Sequence, residues 1–282
     1  MTIFKNTLFV LFIISIISSC SSNDPDQTIT PQITGDYFPS ELDNYWRYSP
    51  SNSGTIPSNY IIIHPLESIF ISNSEASIIN VNSNETILHG VVNKLLTSGD
   101  LKKTESTLHL NGKIDPPRHM QNMFLGLEIP LNDFALYDLN ADINSELSVV
   151  SSTLTQNNFT ANFTIDYTIT SKVTDVLEST TINGELLNNV LISEITMNLS
   201  IKTPHPDGSG DIEVLAPQDT MVITSYFLKD LGLYISSALI EYQINPDTIS
   251  ILEDNGFLIS SIISTEVYEI NGQSLNDYMV NE

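Results

Sequence analysis

Five histidines, one cysteine and 34 carboxylates are the groups with which this 282-residue chain could do acid–base, nucleophilic or metal chemistry. His64, His89, His109, His119 and His205 stand singly, without the short spacings that bring two imidazoles onto one metal ion. His89 and His109 fall inside strand-like runs, where a histidine held by structural hydrogen bonds is the stronger reading than a ligand or a base. With so many acids, carboxylate pairs arise by chance and say nothing about a glycosidase-type acid and base. "HPDGSGDIE", residues 205–213, sets Asp207, Asp211 and Glu213 around glycines, but not at EF-hand positions, and reads better as a hairpin tip than as a calcium loop. Gly-x-Ser-x-Gly, His-Glu-x-x-His, the P-loop and a helix-opening Gly-x-Gly-x-x-Gly are all missing from the sequence. The expectation is a protein that is not an enzyme and carries neither cofactor nor metal.

The cysteine offers chemistry of another kind. Cys20 stands directly behind the greasiest run of the chain, Thr7 to Ile17, which comes after the single base Lys5 and is too short to span a bilayer alone. Ile17-Ser18-Ser19-Cys20 resembles the lipobox of bacterial lipoproteins, in which an aliphatic residue and two small ones precede the cysteine. The resemblance implies that residues 1–19 are a signal peptide and that Cys20 becomes a lipidated N-terminus. Each buried methylene contributes about 0.8 kcal/mol, so two or three acyl chains hold a protein at a membrane where one would not.

The segment beyond Cys20 is built for distance and solubility. Residues 20–36 include two prolines and no apolar periodicity, a tether reaching roughly 20 Å. Asp24 and Asp26 close behind the cysteine resemble the acidic export signal that sends many Bacteroidota lipoproteins to the outer face of the outer membrane. That resemblance implies an outer-membrane, lipid-anchored, surface-exposed location. The net charge of −24 becomes −25 once Lys5 leaves with the signal, since residues 1–19 hold no acid. A chain that acidic offers no basic patch to phosphates, which excludes nucleic acid as a partner and leaves the lipid anchor as the membrane contact. With no second cysteine, the exported chain forms no internal disulfide, so stability must come from core burial.

Residues 37–282 read as one β-rich domain. In "FTANFTIDYTITSKV", residues 159–173, Phe159, Ala161, Phe163, Ile165, Tyr167, Ile169 and Val173 fall on one face, and only Ser171 interrupts it. Thr160, Asn162, Thr164, Asp166, Thr168, Thr170 and Lys172 fall on the other, the pattern of an antiparallel strand with one packed and one wet face. Further strands are expected at 60–64, 68–71, 76–81, 86–96, 106–110, 147–155, 190–202, 220–228, 233–244 and 258–270. "NG" at 111–112, 183–184 and 271–272 and "DG" at 207–208 supply turn chemistry. Residues 115–127 and 246–255 are expected to hold short helices.

Three stretches carry a further resemblance. "YFPSELDNYWRYS" (37–49), "TINGELLNNVLISEITM" (181–197) and "SYFLKDLGLYISSALIEYQI" (225–244) resemble the opening strand and late hairpins of a group of Bacteroidota lipoproteins. The resemblance implies an all-β, mainly antiparallel fold: a strongly curved sheet or half-barrel with a few short helices, like that of periplasmic lipoprotein carriers. By that likeness the protein binds a hydrophobic or amphipathic ligand on the concave face, with Phe159, Phe163, Ile165 and Tyr167 as lining. The opposing readings are a glycan-binding or adhesion module, with Trp46 as a stacking platform beside Tyr37, Tyr45 or Tyr48, and a structural assembly subunit. A lone Trp in an alternating strand is more often a core anchor, because it buries a large area and needs one partner for its N–H. Asp219-Thr220-Met221 and Asp247-Thr248-Ile249 resemble the sequon at which exported Bacteroidota proteins receive O-linked glycans, which makes Thr220 and Thr248 candidate sites. Thr248, in a polar turn after Pro246, is expected to be the accessible one.

Overall fold

A computed structural model describes residues 34–54, 62–124, 128–158, 161–257, 259 and 263–281. The signal segment, Cys20, Asp24, Asp26 and Phe159 lie outside the described residues. From Ile33 to Glu282 the chain forms one compact unit. Its strands are β1 (Tyr45–Gly54), β2 (Ile62–Ile63), β3 (Glu67–Glu75), β4 (Ile78–Ser83), β5 (Asp100–Lys103), β6 (Thr107–Ile114), β7 (Ile129–Asp138), β8 (Glu146–Asn158), β9 (Ala161–Ile182), β10 (Glu185–Pro204), β11 (Asp211–Leu228), β12 (Gly232–Gln243) and β13 (Glu266–Met279). Two helices, α1 (Val91–Leu96) and α2 (Pro246–Asp254), and a 3-10 turn at Arg118–Phe124 complete it.

All pairings are antiparallel, in the order β7-β6-β5-β4-β3-β1-β13-β12-β11-β10-β9-β8, with β2 paired to β1 alone. The fold is all-β, as expected, and its curvature goes beyond a half-barrel to a nearly closed barrel. The two ends of the strand path, β7 and β8, are bridged by side chains and not by a ladder. Ser148 Oγ accepts from the Ala135 N–H at 2.9 Å, and Ser171 Oγ donates to the Ala135 carbonyl at 2.6 Å. Ser171, the one polar residue on the greasy face of β9, is therefore the group that ties β9 to β7.

The alternation holds throughout 163–173. Phe163, Ile165, Tyr167, Ile169, Ser171 and Val173 are buried, and the intervening side chains from Thr164 to Lys172 are partly exposed. The inner face continues in rows across the sheet, because register is fixed by which face is buried. Ile195, Ile223, Ala238, Asn271 and Asn52 lie opposite one another on β10, β11, β12, β13 and β1, as do Met197, Met221, Ile240 and Glu269 on the first four of these. A neighbouring row reads Ser193, Ser225, Ser236 and Gln273, all buried. Outside that serine row and Ser171 the interior is mainly apolar on β9 to β12, and it turns polar on β13. Past Val173, β9 loses β8 and runs on as a hairpin with β10 alone, closed by Asn183 and Gly184 at positive φ.

Several expected elements differ. Residues 86–96 form no strand; they lead through a loop into α1, which buries Val92, Leu95 and Leu96. "NG" at 111–112 and at 271–272 lies inside β6 and β13, not in turns. A Cβ on Gly112 would collide with Ser98 Oγ, so this glycine serves a close approach. "NG" at 183–184 and "DG" at 207–208 are turns, and α2 matches the helix expected at 246–255. Asn245 caps it, its side chain accepting from the Asp247 N–H at 3.0 Å, with Pro246 in the first turn.

Candidate functional site

The polar stripe on β13 and the helix α1 make one joint. Gln273 donates from Nε2 to Asn93 Oδ1 at 2.9 Å and accepts from the Asn93 N–H at 3.3 Å. Asn271 accepts from the Val91 N–H at 3.0 Å and donates to the His89 carbonyl at 3.0 Å and to Asn52 Oδ1 at 2.5 Å. Glu67, 1% exposed, accepts from the His89 and Gly90 N–H groups and from Asn93 Nδ2 at 2.9 Å. A buried carboxylate with that many donors has its hydrogen-bonding capacity met. These contacts hold α1 against the concave face of the sheet.

Beside the joint lies a cleft of about 590 Å³. Its floor is the inner face of β11 to β13 and β1, with Met221, Ile240, Glu269, Asn271 and Asn52; its walls come from residues 82–98 and 113–121. Leu88, Val91, Leu95, Ile114, Pro116 and Pro117 give the walls apolar patches among more numerous polar and charged side chains. The volume lies within the ~300–1,000 Å³ of pockets that take small molecules, and the walls are more polar than is usual for them.

Three cations, Lys94, Lys113 and Arg118, and three carboxylates, Glu85, Asp115 and Glu269, reach the lining, a neutral island on an acidic chain. Most are engaged. Arg118 Nε and His119 Nε2 lie 2.9 and 2.6 Å from Glu269 Oε2, and Lys113 Nζ lies 2.6 Å from Glu128, whose hydrogen bond raises the lysine pKa. Glu85 accepts from the Ser68 N–H and the Ser83 hydroxyl. Lys94, half-buried, has no ion-pair or hydrogen-bond partner for its ammonium among the described residues. Near the mouth the His64 and His89 rings stack at 3.9 Å with an interplanar angle of 8°, and the buried His64 Nε2 has no partner. Burial, then the His89 charge, lowers the pKa of His64.

The residues singled out from sequence sit elsewhere. Trp46 is 1% exposed, stacked on Phe38 at 5.4 Å, and donates from Nε1 to the Leu231 carbonyl at 2.6 Å. Tyr37 and Tyr48 are equally buried, and Tyr45, half-buried on the other face of β1, donates its hydroxyl to Asp277 at 3.1 Å. Phe163, Ile165 and Tyr167 belong to the packed core on β9 and not to the cleft. Thr248 is buried, contrary to the accessibility expected of it: its hydroxyl donates to the Glu213 carbonyl at 2.7 Å, tying α2 to β11. Thr220, with no exposed surface, donates to the Met197 carbonyl at 3.1 Å. His205 and Asp207 meet at 2.5 Å, and Asp207 also accepts from the Ser209 N–H, as a hairpin tip would have them. Asp207 stays charged more readily than usual, chiefly through its hydrogen bonds with Ser209.

Sequence reading missed Lys94, Arg118, Met221, Ile240 and Glu269. A signal existed for the last: Val267, Glu269, Asn271 and Gln273 share one phase of a strand, and polar residues in a buried phase require a partner.

No family model matches the chain, and no curated protein matches it significantly. Among solved structures, the chain is similar to one described as a "putative lipoprotein" from Parabacteroides distasonis ATCC 8503. The identity is 12% and the TM-score 0.34, with 87% of this chain and 99% of that chain covered.

Proposed function

We propose that this is a lipid-anchored cell-envelope protein, held at the outer membrane through Cys20 and displayed at the cell surface, that binds an amphipathic ligand without transforming it. The anchor rests on the signal segment and lipobox-like residues 17–20, and display on Asp24 and Asp26. The observation that carries the binding reading is the cleft of about 590 Å³ floored by Met221 and Ile240 on the concave face. Apolar surface in such a cleft gains roughly 25 cal/mol for each Å² that a ligand covers. On this reading the ligand lies against β11 to β13 and not against the β9 residues that the carrier resemblance implied.

The test uses Nile red, an uncharged apolar probe. The purified protein is expected to raise its fluorescence to saturation at one probe per chain, and Ile240→Trp, which fills the floor, to abolish the rise while the melting temperature stays within a few degrees. Unchanged fluorescence in Ile240→Trp would overturn the assignment of the cleft. For the anchor, Cys20→Ala is expected to lose labelling by a fatty-acid analogue and to leave the membrane fraction.

A further inference from the structure

We infer that the cleft selects amphiphiles with an anionic head, a carboxylate or a phosphate monoester, and that the Lys94 ammonium is the recognising group. The inference rests on the reading of the cleft as a ligand site and goes on to name the ligand's charge.

Of the six charged side chains in the lining, the acids are already occupied or exposed. Glu269 is 4% exposed and held by Arg118 and His119, and Glu85 is held by Ser68 and Ser83. Both carboxylates receive these donors on Oε2, Glu269 from two basic side chains and Glu85 from two neutral groups. Asp115 lies exposed beside Lys113, and Lys113 is itself paired with Glu128. Lys94 is different: it is half-buried in the wall between Val91 and Leu95 and unpaired among the described residues. Its ammonium has no partner among the described residues, and a ligand that brings an anion supplies one. Charge-assisted hydrogen bonds of this kind are about twice as strong as neutral ones.

The rest of the molecule sharpens the choice. With 34 acids against 10 bases, its overall field repels anions, so an anionic ligand can be held only by a local cation. Lys94 lines the cleft together with Val91 and Leu95, and a lysine's four-carbon stem can cover a hydrocarbon chain while its head meets a terminal charge.

The experiment compares four amphiphiles of one chain length below their micelle concentrations: myristate, myristyl phosphate, myristyl alcohol and myristyltrimethylammonium. Calorimetric titration of the purified protein is expected to show the two anions binding about tenfold more tightly than the alcohol, and the cation more weakly still. Lys94→Gln is expected to remove that preference while leaving the alcohol's affinity unchanged, which shows that the cleft is intact; Lys94→Arg is expected to keep it. The ranking of carboxylate against phosphate then names the head. Equal affinity of wild type for myristate and the alcohol, or a preference surviving in Lys94→Gln, would overturn the inference while leaving the cleft as a ligand site. Binding of none of the four would overturn the cleft reading itself.

Discussion

The β9 to β11 side and the β13 side of the barrel obey the same period-two rule and use it to opposite ends. On β9 the inner face is Phe163, Ile165, Tyr167 and Ile169, all part of the apolar core. On β13 the same phase carries Glu269, Asn271 and Gln273, which find their partners in α1 and the loop before it, in Asn52 and in the 3-10 turn. The difference teaches that alternation specifies which side chains go inward, while their chemistry decides whether the inside is filled or furnished. The cleft opens where the inward residues are polar and a separate element must be brought to them.

The largest effect is expected on the apolar side. Phe163→Asp places a charge where no partner exists and removes a buried ring, a loss of about 5 kcal/mol in stability by chemical denaturation. Thr164→Asp, one residue on and facing out beside Lys202 across the ladder, is expected to stay within about 0.5 kcal/mol. Equal losses would mean that the two faces are not distinct.

Glu67→Ala is the matching lesion on the polar side. It strands the N–H groups of His89 and Gly90 and the Asn93 amide, at a cost of about 2–4 kcal/mol. Hydrogen exchange is expected to quicken at residues 89–98 and to stay slow on β9 to β11. Uniform quickening over the barrel would erase the contrast between the two regions.

The smallest effect concerns acidity. Burial and the neighbouring His89 lower the His64 pKa, against the opposing pull of Glu67 and Glu269, so the folded state binds fewer protons here than the unfolded one. The stability contributed by this pair is present in full above the unfolded value of about 6.5 and is lost as pH falls below it. Between about pH 7.5 and pH 5, wild type is expected to lose more in melting temperature than His64→Phe, which keeps a ring against His89. A parallel decline would place the sensitivity elsewhere.

How much of this could be read beforehand depended on whether one strand or several decided it. The faces of 161–173 are a local pattern and were legible. Ser171 was legible only as an interruption, since its partner, the Ala135 carbonyl, is 36 residues away. α1 was not legible: "ILHGVVNKLL" is rich in the apolar residues of strands, and what makes 91–96 helical is its fit against Gln273 and Glu67. The cleft was hidden for the same reason, being assembled from residues 82–98, 113–121, 221, 240 and 269–271. Trp46 was legible as an anchor because an aromatic's demand for burial is the same in nearly every context.

The side-chain seam between β7 and β8 bears on crowding. Proteins held at a surface meet their own copies at high local concentration, where exposed strand edges invite sheet-to-sheet growth. Along the main strand path, the terminal strands β7 and β8 are turned toward each other and spanned by Ser148 and Ser171, which denies a neighbour that template. The one stretch of β9 left without its ladder partner, past Val173, carries Asp175 and Glu178, charges that repel an identical edge. Along that path the barrel thereby offers an identical copy little open edge to pair with.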